Sequence, residues 1–441
     1  MFYIVESDSQ LSKLKEYKDT PAFIEAVPSN FLFHSKLTTT VAVYIRPLSC
    51  DKGFIIPIDH EEGLNVDKDR LYGILQEFTT LYTIDRKTLL YHFNLLNSND
   101  ISLLYSMVNY DRLELPNFSN GITYFYNNLE NNQEINKIIP ISKLYEYYEE
   151  IFNKVSEVID YEKPSGYDFY NKTATNVFYL LEQQGLGIIY NAFTELFKPR
   201  NPIFNIYNNK VLTSYNLYNV TSRPTNAFNS VNFAAIPKSE KHRKCFKPQN
   251  DLFVEFDFDG YHLRLLCDQI DYTLTDESAH KQLAKLYFNK EEITDEEYSQ
   301  AKQINFHAIY GKIPKKHKNL EVFVKIQQFI DNIWEEYESK GVFIAPISEK
   351  PFNSNLKRMN PAKLMNYVMQ SLETSRNILI LKNVLRFLKD KQTKIALYTY
   401  DSVLFDFSKN DDRELLAELE QILSENGKYP VKFKFSKNLV L

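Results

Sequence analysis

Cysteine is scarce. The chain has three in 441 residues, Cys50, Cys245 and Cys267, far apart from one another. They form no zinc spacing and are too few for a disulfide framework, which excludes the cystine-stapled class and fits a reducing cytoplasm. Also missing is any stretch of about 18 consecutive apolar residues, so no helical membrane span is expected. Met1 to Ser9 carry acids and no long apolar core, so no signal peptide is expected. Excess positive charge is absent too: 52 Lys and Arg against 57 Asp and Glu give a net charge of −5. That excludes a generally cationic nucleic-acid binder and confines any DNA contact to local basic patches. There is no internal repeat and no low-complexity tail. What remains, 44% hydrophobic and 25% charged, is ordinary for a globular protein with room for two or three domains. The abundance of Tyr, Phe, Asn, Lys and Ile reads as an AT-rich coding bias and says nothing about fold.

Three regions can be drawn. Residues 1–140 begin with short β-rich runs, Thr40–Ile45 and Phe54–Ile58, followed by helical patterns near Lys68–Leu81 and Lys87–Leu96. That order predicts a small α/β domain. Residues 141–205 read as helical, over Leu144–Val158 and Thr173–Leu196, with a break at Pro199 to Pro202. Residues 206–441 mix β-like ends, Leu252–Phe258, Ile395–Phe407 and Pro430–Phe435, with helices between: His280–Phe288, Glu296–Tyr310, Leu320–Lys340, Ala362–Lys389 and Arg413–Asn426.

Chemistry concentrates in the third region. Lys302, Phe306 and Tyr310 are four apart, so a helix places a cation, a flat apolar ring and a phenol in a row on one face. Such a face suits a nucleotide; its plainer reading is an amphipathic core helix. Asp257 ends a β-prone run, and Gly260 then permits a turn into a helix. Asp257 could cap that helix, but Asp259 is an equally good cap and would leave Asp257 free for a metal. Asp401 sits between two apolar runs, at the expected tip of a hairpin, where its plainer reading is an ordinary turn residue. Asp406 alternates to the other face and reads as structural. Two acids from separate strands can hold Mg²⁺, which takes one or two carboxylates plus substrate phosphates. Together the runs point to metal-assisted nucleotidyl transfer.

In their order, these runs resemble family A DNA polymerases, the bacterial polymerase I type. Asp257-Phe-Asp-Gly-Tyr-His262-Leu-Arg264 stands for the family's motif A, Lys302 with Asn305, Phe306 and Tyr310-Gly311 for motif B, and Tyr400-Asp401-Ser402 for motif C. Thr221-Ser-Arg223, Asn232 to Pro237, Arg243 to Phe246 and Asn366 to Gln370 follow as lesser landmarks, so the resemblance covers about residues 210–441. It implies an α+β right-hand polymerase: an antiparallel palm sheet with helical fingers (about 268–345) in 206–441, a helical thumb in 141–205, and an N-terminal α/β exonuclease-like domain in 1–140. By the resemblance, Asp257, Asp401 and the Phe258 carbonyl would hold two Mg²⁺ ions, with Mn²⁺ as a substitute. Lys302 would bind the triphosphate, Phe306 would stack near base and sugar, and Tyr310 would sit at the nascent pair. Arg223, Asn232, Arg243, Asn366 and Gln370 would touch primer or template, and Tyr400 would lie near the primer terminus. Arg264 would be structural. The implied partners are primer-template DNA and dNTPs, with a replisome or processivity partner left open; the expected state is a monomer in the cytoplasm, the host's if the source is a phage.

Departures from the family pattern carry their own expectations. His262 replaces the Glu that excludes a ribose 2′-hydroxyl. Tyr298 replaces an Arg, which removes a cationic triphosphate contact unless Lys312, Lys315 or Lys316 supplies it. His307 replaces a Gly, Ser402 the last motif C acid, and Ala362 an Arg. In the N-terminal region, Glu25 is the nearest match to an exonuclease acid, and Asn97 stands where a second is expected, so proofreading should be lost; an unrelated α/β domain is the alternative reading of this region. Two basic clusters, Lys238 to Lys247 and Lys312 to Lys318, flank the proposed catalytic elements and favour phosphate contact. Two rival readings stay open: a single-subunit RNA polymerase, favoured by Asp401-Ser402 and the missing Glu, and an inactive polymerase-like DNA-binding scaffold.

Overall fold

Two sheets organise the chain. The computed structural model describes residues 3–129, 132–197, 205–226, 231–237, 239–275, 277–310 and 313–441. Gly311, Lys312, Lys238 and the expected break at Pro199 to Pro202 lie outside the described residues.

The N-terminal sheet has six strands, in the order Tyr3–Ile4, Phe54–Pro57, Thr40–Pro47, Ala22–Pro28, Leu81–Thr83, Ser98–Asp100. Its middle is antiparallel, while the strands added at each side run parallel to their neighbours. Thr40–Pro47 is buried along its whole length, because both faces are covered. On one face Phe23 and Tyr44 meet helix Ile141–Ile159, with ring centroids 5.7 Å apart for both Phe23–Phe152 and Tyr44–Tyr148. Glu149 of that helix accepts from the Tyr44 hydroxyl and pairs with Arg46 at 3.0 Å. On the other face Ile24, Val43 and Ile45 pack against Leu71, Ile74 and Leu75 of helix Lys68–Gln76.

The carboxyl of Glu25 reaches the parallel side of this sheet. It accepts from the Thr83 hydroxyl at 2.9 Å and the Ile84 N–H at 2.5 Å. Burial pushes it up to about 8 in spite of those hydrogen bonds. The neighbouring acids are used as caps: Asp85 accepts from Lys87 N–H, and Asp100 from Leu103 and Arg86 N–H. Glu25 binds its proton more tightly in the folded chain than at its ordinary value of 4.5. Its contribution to stability is therefore full below about pH 4.5 and is lost as pH rises through about 8. Glu25→Gln keeps the accepting oxygen. It should be more stable than the parent by roughly 2–4 kcal/mol at about pH 9 and nearly equal to it at about pH 4, as urea melts at the two pH values would show. Equal loss of stability at both would mean that the proton on Glu25 is not what matters.

Two helical expectations are corrected. Thr173–Leu196 is not one helix: a π-helical turn, Phe169–Ala174, runs into Thr175–Glu182, which stops before Gly185. Gly185, at φ +67°, turns the chain in the left-handed region. Leu186–Gly187 then pairs with Lys210–Val211, and a separate helix covers Tyr190–Leu196. Similarly, the pattern near Lys68–Leu81 ends as helix at Gln76, and Leu81 begins a strand.

The second sheet is wholly antiparallel, in the order Lys394–Thr399, Ser402–Phe407, Leu252–Phe258, Val431–Ser436. The 27-residue helix Pro361–Phe387 has buried residues all round it, because it runs through the interior between this sheet and the other helices. Four further helices pack against one another beside it: Tyr261–Gln269, Ala279–Phe288, Asp295–Ile309 and Glu321–Lys340. The third of these starts on a capping box, Thr294 with Glu297, which typically contributes about 1 kcal/mol. Among the described residues no helix is long and apolar enough to cross a membrane.

Candidate active site

Strand Leu252–Phe258 and the hairpin Lys394–Phe407 lie side by side, with Asp257 opposite Ser402 and the Phe258 N–H donating to the Asp401 carbonyl at 3.0 Å. The two expected carboxylates thus emerge at the same end of adjacent strands. The hairpin turns through Tyr400, a non-glycine residue at φ +59°. Asn377 Nδ2 donates to the Tyr400 carbonyl at 2.8 Å, and the Arg223 guanidinium lies 3.9 Å from the Tyr400 ring centre. A strained turn held from both sides fixes where Asp401 points.

Asp257 and Asp401 line a cleft of about 510 Å³ whose opposite wall is helix Asp295–Ile309. Lys302, Phe306 and Tyr310 face into it, as the four-residue spacing predicts, and Phe306 is 58% exposed, a free ring rather than a core residue. Its ring stands edge-on to Tyr310 with centroids 4.8 Å apart. Tyr298, one turn before Lys302, lines the same wall. Partial withdrawal from water, then the charges of Asp401 and Glu255, push Asp257 up to about 6, against Lys434 and Lys302. Asp401 is raised too, by burial first and by Glu373 second. Both acids sit in a field short of positive charge. Among the described residues no group of three or more His, Cys, Asp or Glu could hold a metal ion.

The floor of the cleft rests on a carboxylate that sequence reasoning missed. Glu373, in helix Pro361–Phe387, is 1% exposed. Its Oε2 stands 2.9 Å from Arg223 Nε, a close ion-pair contact, and 3.1 Å from His262 Nε2, which is an ion pair only with a protonated imidazole; both lie off hydrogen-bond line. Arg223 Nη2 makes the directed bond, to Oε1 at 3.3 Å. Burial would raise Glu373, but His262 and Arg223 outweigh it and hold the group below its usual value. The other nitrogen of His262 reaches the Tyr310 hydroxyl at 3.4 Å. His262 therefore bridges the palm carboxylate and the helix opposite.

Asp259 corrects a further expectation. The following helix, Tyr261–Gln269, has Gly260 as its N-cap at φ +59° and no side-chain cap. Asp259 instead accepts from the N–H of Ala279, in the first turn of the next helix, at 3.0 Å. It also pairs with Arg264 at 3.3 Å and with Lys432 at 2.6 Å. Arg264 donates in addition to the carbonyls of Asp259, Thr275 and Glu277, so its role is structural. Lys432 and His280 also line the cleft and were not read from the sequence. Burial, then Lys302, lowers His280 to about 4. Buried Asn305 donates to His280 and accepts from Tyr287, tying two helices together.

The remaining candidates are spread around this centre. Arg243 lies in a second, smaller cleft of about 270 Å³ on the other side of Tyr400 and Asp401. Asn232 opens the short turn Phe233–Ala235 beside that cleft without lining it. Gln370 links Asn366, at 2.9 Å, to Thr221, at 3.1 Å, and neither Asn366 nor Gln370 lines the main cleft. Ser402 donates to Glu255 at 2.9 Å, and Asp406 accepts from the N–H groups of Gln249 and Asn250, a structural role as expected. Of the second basic cluster, His317 packs on Tyr287 at 5.0 Å between centroids.

No family profile matches the chain, and no curated protein matches it in sequence. Its fold does match solved structures. One is the POL domain of Pol1 from M. smegmatis in complex with DNA primer-template and dNTP, at a TM-score of 0.68 and 12% identity over 100% of this chain and 99% of that one. The chain therefore has the α+β fold of a DNA polymerase domain.

Proposed function

We propose that this chain is a template-directed DNA polymerase of the family A kind. The observation that carries the reading is one cleft with Asp257 and Asp401 on the sheet side and Lys302, Phe306 and Tyr310 on the helix side. The similar Pol1 domain, which carries primer-template and dNTP, supports the same partners here. The donor set fits a hard divalent ion: two carboxylates whose charge burial disfavours, with Phe258 lining the cleft beside them and room for phosphate oxygens. Two Mg²⁺ ions, or Mn²⁺ in their place, would activate a primer 3′-hydroxyl and offset charge on the leaving pyrophosphate. Asp257 and Asp401 orient that end of the cleft, Lys302 draws the triphosphate, and Phe306 offers its ring to the base or sugar. Arg223, stacked on Tyr400 and anchored by Glu373, fixes the primer side. Proofreading is not expected of this chain. Glu25 already accepts from the Thr83 hydroxyl and the Ile84 N–H, and Asn97, an amide where an acid is expected, donates to the Phe78 carbonyl.

The cation missing at Tyr298 has a replacement in reach. Lys432 borders the same cleft from the edge strand, and Asp259, which it pairs with, is also satisfied by Arg264 and Ala279. Lys432 can therefore turn to a phosphate without leaving Asp259 unpaired. Lys302→Ala should raise the KM for dNTP about 30-fold or more, and Lys432→Met about 3- to 10-fold, each with a smaller change in kcat. Steady-state single-nucleotide insertion measures both; an unchanged KM in Lys432→Met would return that residue to a structural role. The reading as a whole is tested by extension of a recessed primer with Mg²⁺ and dNTPs. Extension at similar rates with rNTPs would favour an RNA polymerase, and binding of DNA without extension a scaffold.

A further inference from the structure

A second groove lies at the far end of the palm sheet. It has a volume of about 630 Å³ and runs between helix Thr175–Glu182, the C-terminal half of helix Pro361–Phe387 and the start of strand Lys394–Thr399. Five cationic side chains border it, Lys172, Lys382, Arg386, Lys389 and Lys394, and no acid does, in a chain whose net charge is −5. Lys172 pairs with Asp168 at 2.8 Å. Among the described residues, Lys382, Arg386 and Lys389 make no ion pair, and Lys394 makes none either but donates to the carbonyls of Leu388 at 3.1 Å and Lys389 at 3.4 Å. Between the cations, Leu180, 44% exposed, and the half-buried Leu385 form an apolar strip, with polar side chains such as Asn176 and Gln183 beside it. Like charges without carboxylate partners around a partly exposed apolar strip are unfavourable for the free chain and complementary to an acidic ligand with apolar side chains.

The position separates this groove from the polymerase chemistry. Lys394 and Ile395 begin the strand whose other end leads to Asp401, which places the two sites roughly 17–20 Å apart along the strand. The lining also argues against single-stranded nucleic acid, since it contains no aromatic ring on which a base could stack. A duplex has no apolar side chain to bury on such a floor. We infer that the groove between helices Thr175–Glu182 and Pro361–Phe387 is a docking site for an acidic peptide segment of a partner protein, with leucine-like side chains on the floor and carboxylates on the cationic rim.

The test uses the full chain and fluorescence anisotropy, with a labelled peptide that alternates aspartate and leucine. A polyglutamate and an oligothymidylate of equal charge serve as competitors. The alternating peptide should bind in a salt-dependent way, polyglutamate should compete at least tenfold more weakly, and oligothymidylate should not displace it. Lys382→Glu with Arg386→Glu should weaken the peptide at least tenfold, and Leu180→Ser about threefold. Both variants should keep the parent's thermal melt, primer extension and oligothymidylate binding. Peptide binding that ignores both variants, or no peptide binding at millimolar concentration, overturns the assignment. So does displacement by oligothymidylate that the charge reversal abolishes, which would make the groove a nucleic-acid path.

Discussion

Asp401→Ala should lower primer extension by about 10³-fold or more while duplex DNA binding stays within about threefold of the parent. The asymmetry follows from the site. Asp401 is raised by burial first and by Glu373 second, against His262 and Arg223, so its charge is short of solvation that a divalent cation would supply. Its removal takes away half of the carboxylate donor set, and no third carboxylate among the described residues groups with the pair. In the proposed reading DNA contact would rest on other side chains, such as Arg223 and Arg243, which are anchored by Glu373 and by the Leu439 carbonyl. Asp401→Asn should be nearly as inactive, because it keeps the shape and loses the charge. Burst kinetics on a labelled primer with filter binding in parallel measure both quantities. A variant that loses DNA binding and extension together would point to a folding defect of the hairpin instead.

Glu373→Ala should be the most destabilising single change at the site, by roughly 3–5 kcal/mol, since it leaves Arg223 and His262 without their common carboxylate in the interior. Glu373→Gln should cost less stability but alter chemistry. His262 is held between Glu373 and the Tyr310 hydroxyl, where the sugar of a nucleotide lying on Phe306 would pass. With the charge gone, His262 is less firmly placed, and rNTP insertion relative to dNTP should rise about tenfold. Urea melts and the ratio of rNTP to dNTP kcat/KM check the two parts separately. An unchanged ratio in a folded Glu373→Gln would remove His262 from sugar discrimination.

Much of this centre was legible because its signals are local. A strand that exits into a glycine turn, a hairpin with an acid at the tip and a cation, ring and phenol four residues apart are all written in short runs. Lys302, Phe306 and Tyr310 share a face because helix geometry leaves no alternative. Glu373 was not legible, since its partners lie 111 and 150 residues away and only packing brings them together. One signal did exist: Glu373 is the lone acid of a helix whose middle turns hold mostly uncharged residues, and an acid buried there must find cations. Lys432 and His280 were missed for the same reason, reaching the cleft from an edge strand and from a neighbouring helix. Asp259 was misplaced because sequence proximity favours capping the next helix, whereas the left-handed turn at Gly260 leaves its carboxylate to Ala279, twenty residues on. In the N-terminal sheet, the run Thr40–Ile45 was readable as a strand from its β-branched and aromatic residues. The parallel additions at Leu81–Thr83 and Ser98–Asp100 were not, because three-residue strands carry no period.

The most direct measurement is single-nucleotide insertion opposite each of the four template bases, with Mg²⁺, supplying dNTPs or rNTPs. The account predicts insertion of the complementary dNTP in preference to the other three and to its ribonucleotide, and loss of that insertion in Asp401→Ala. Insertion that ignores the template base, or that survives in Asp401→Ala, would contradict it.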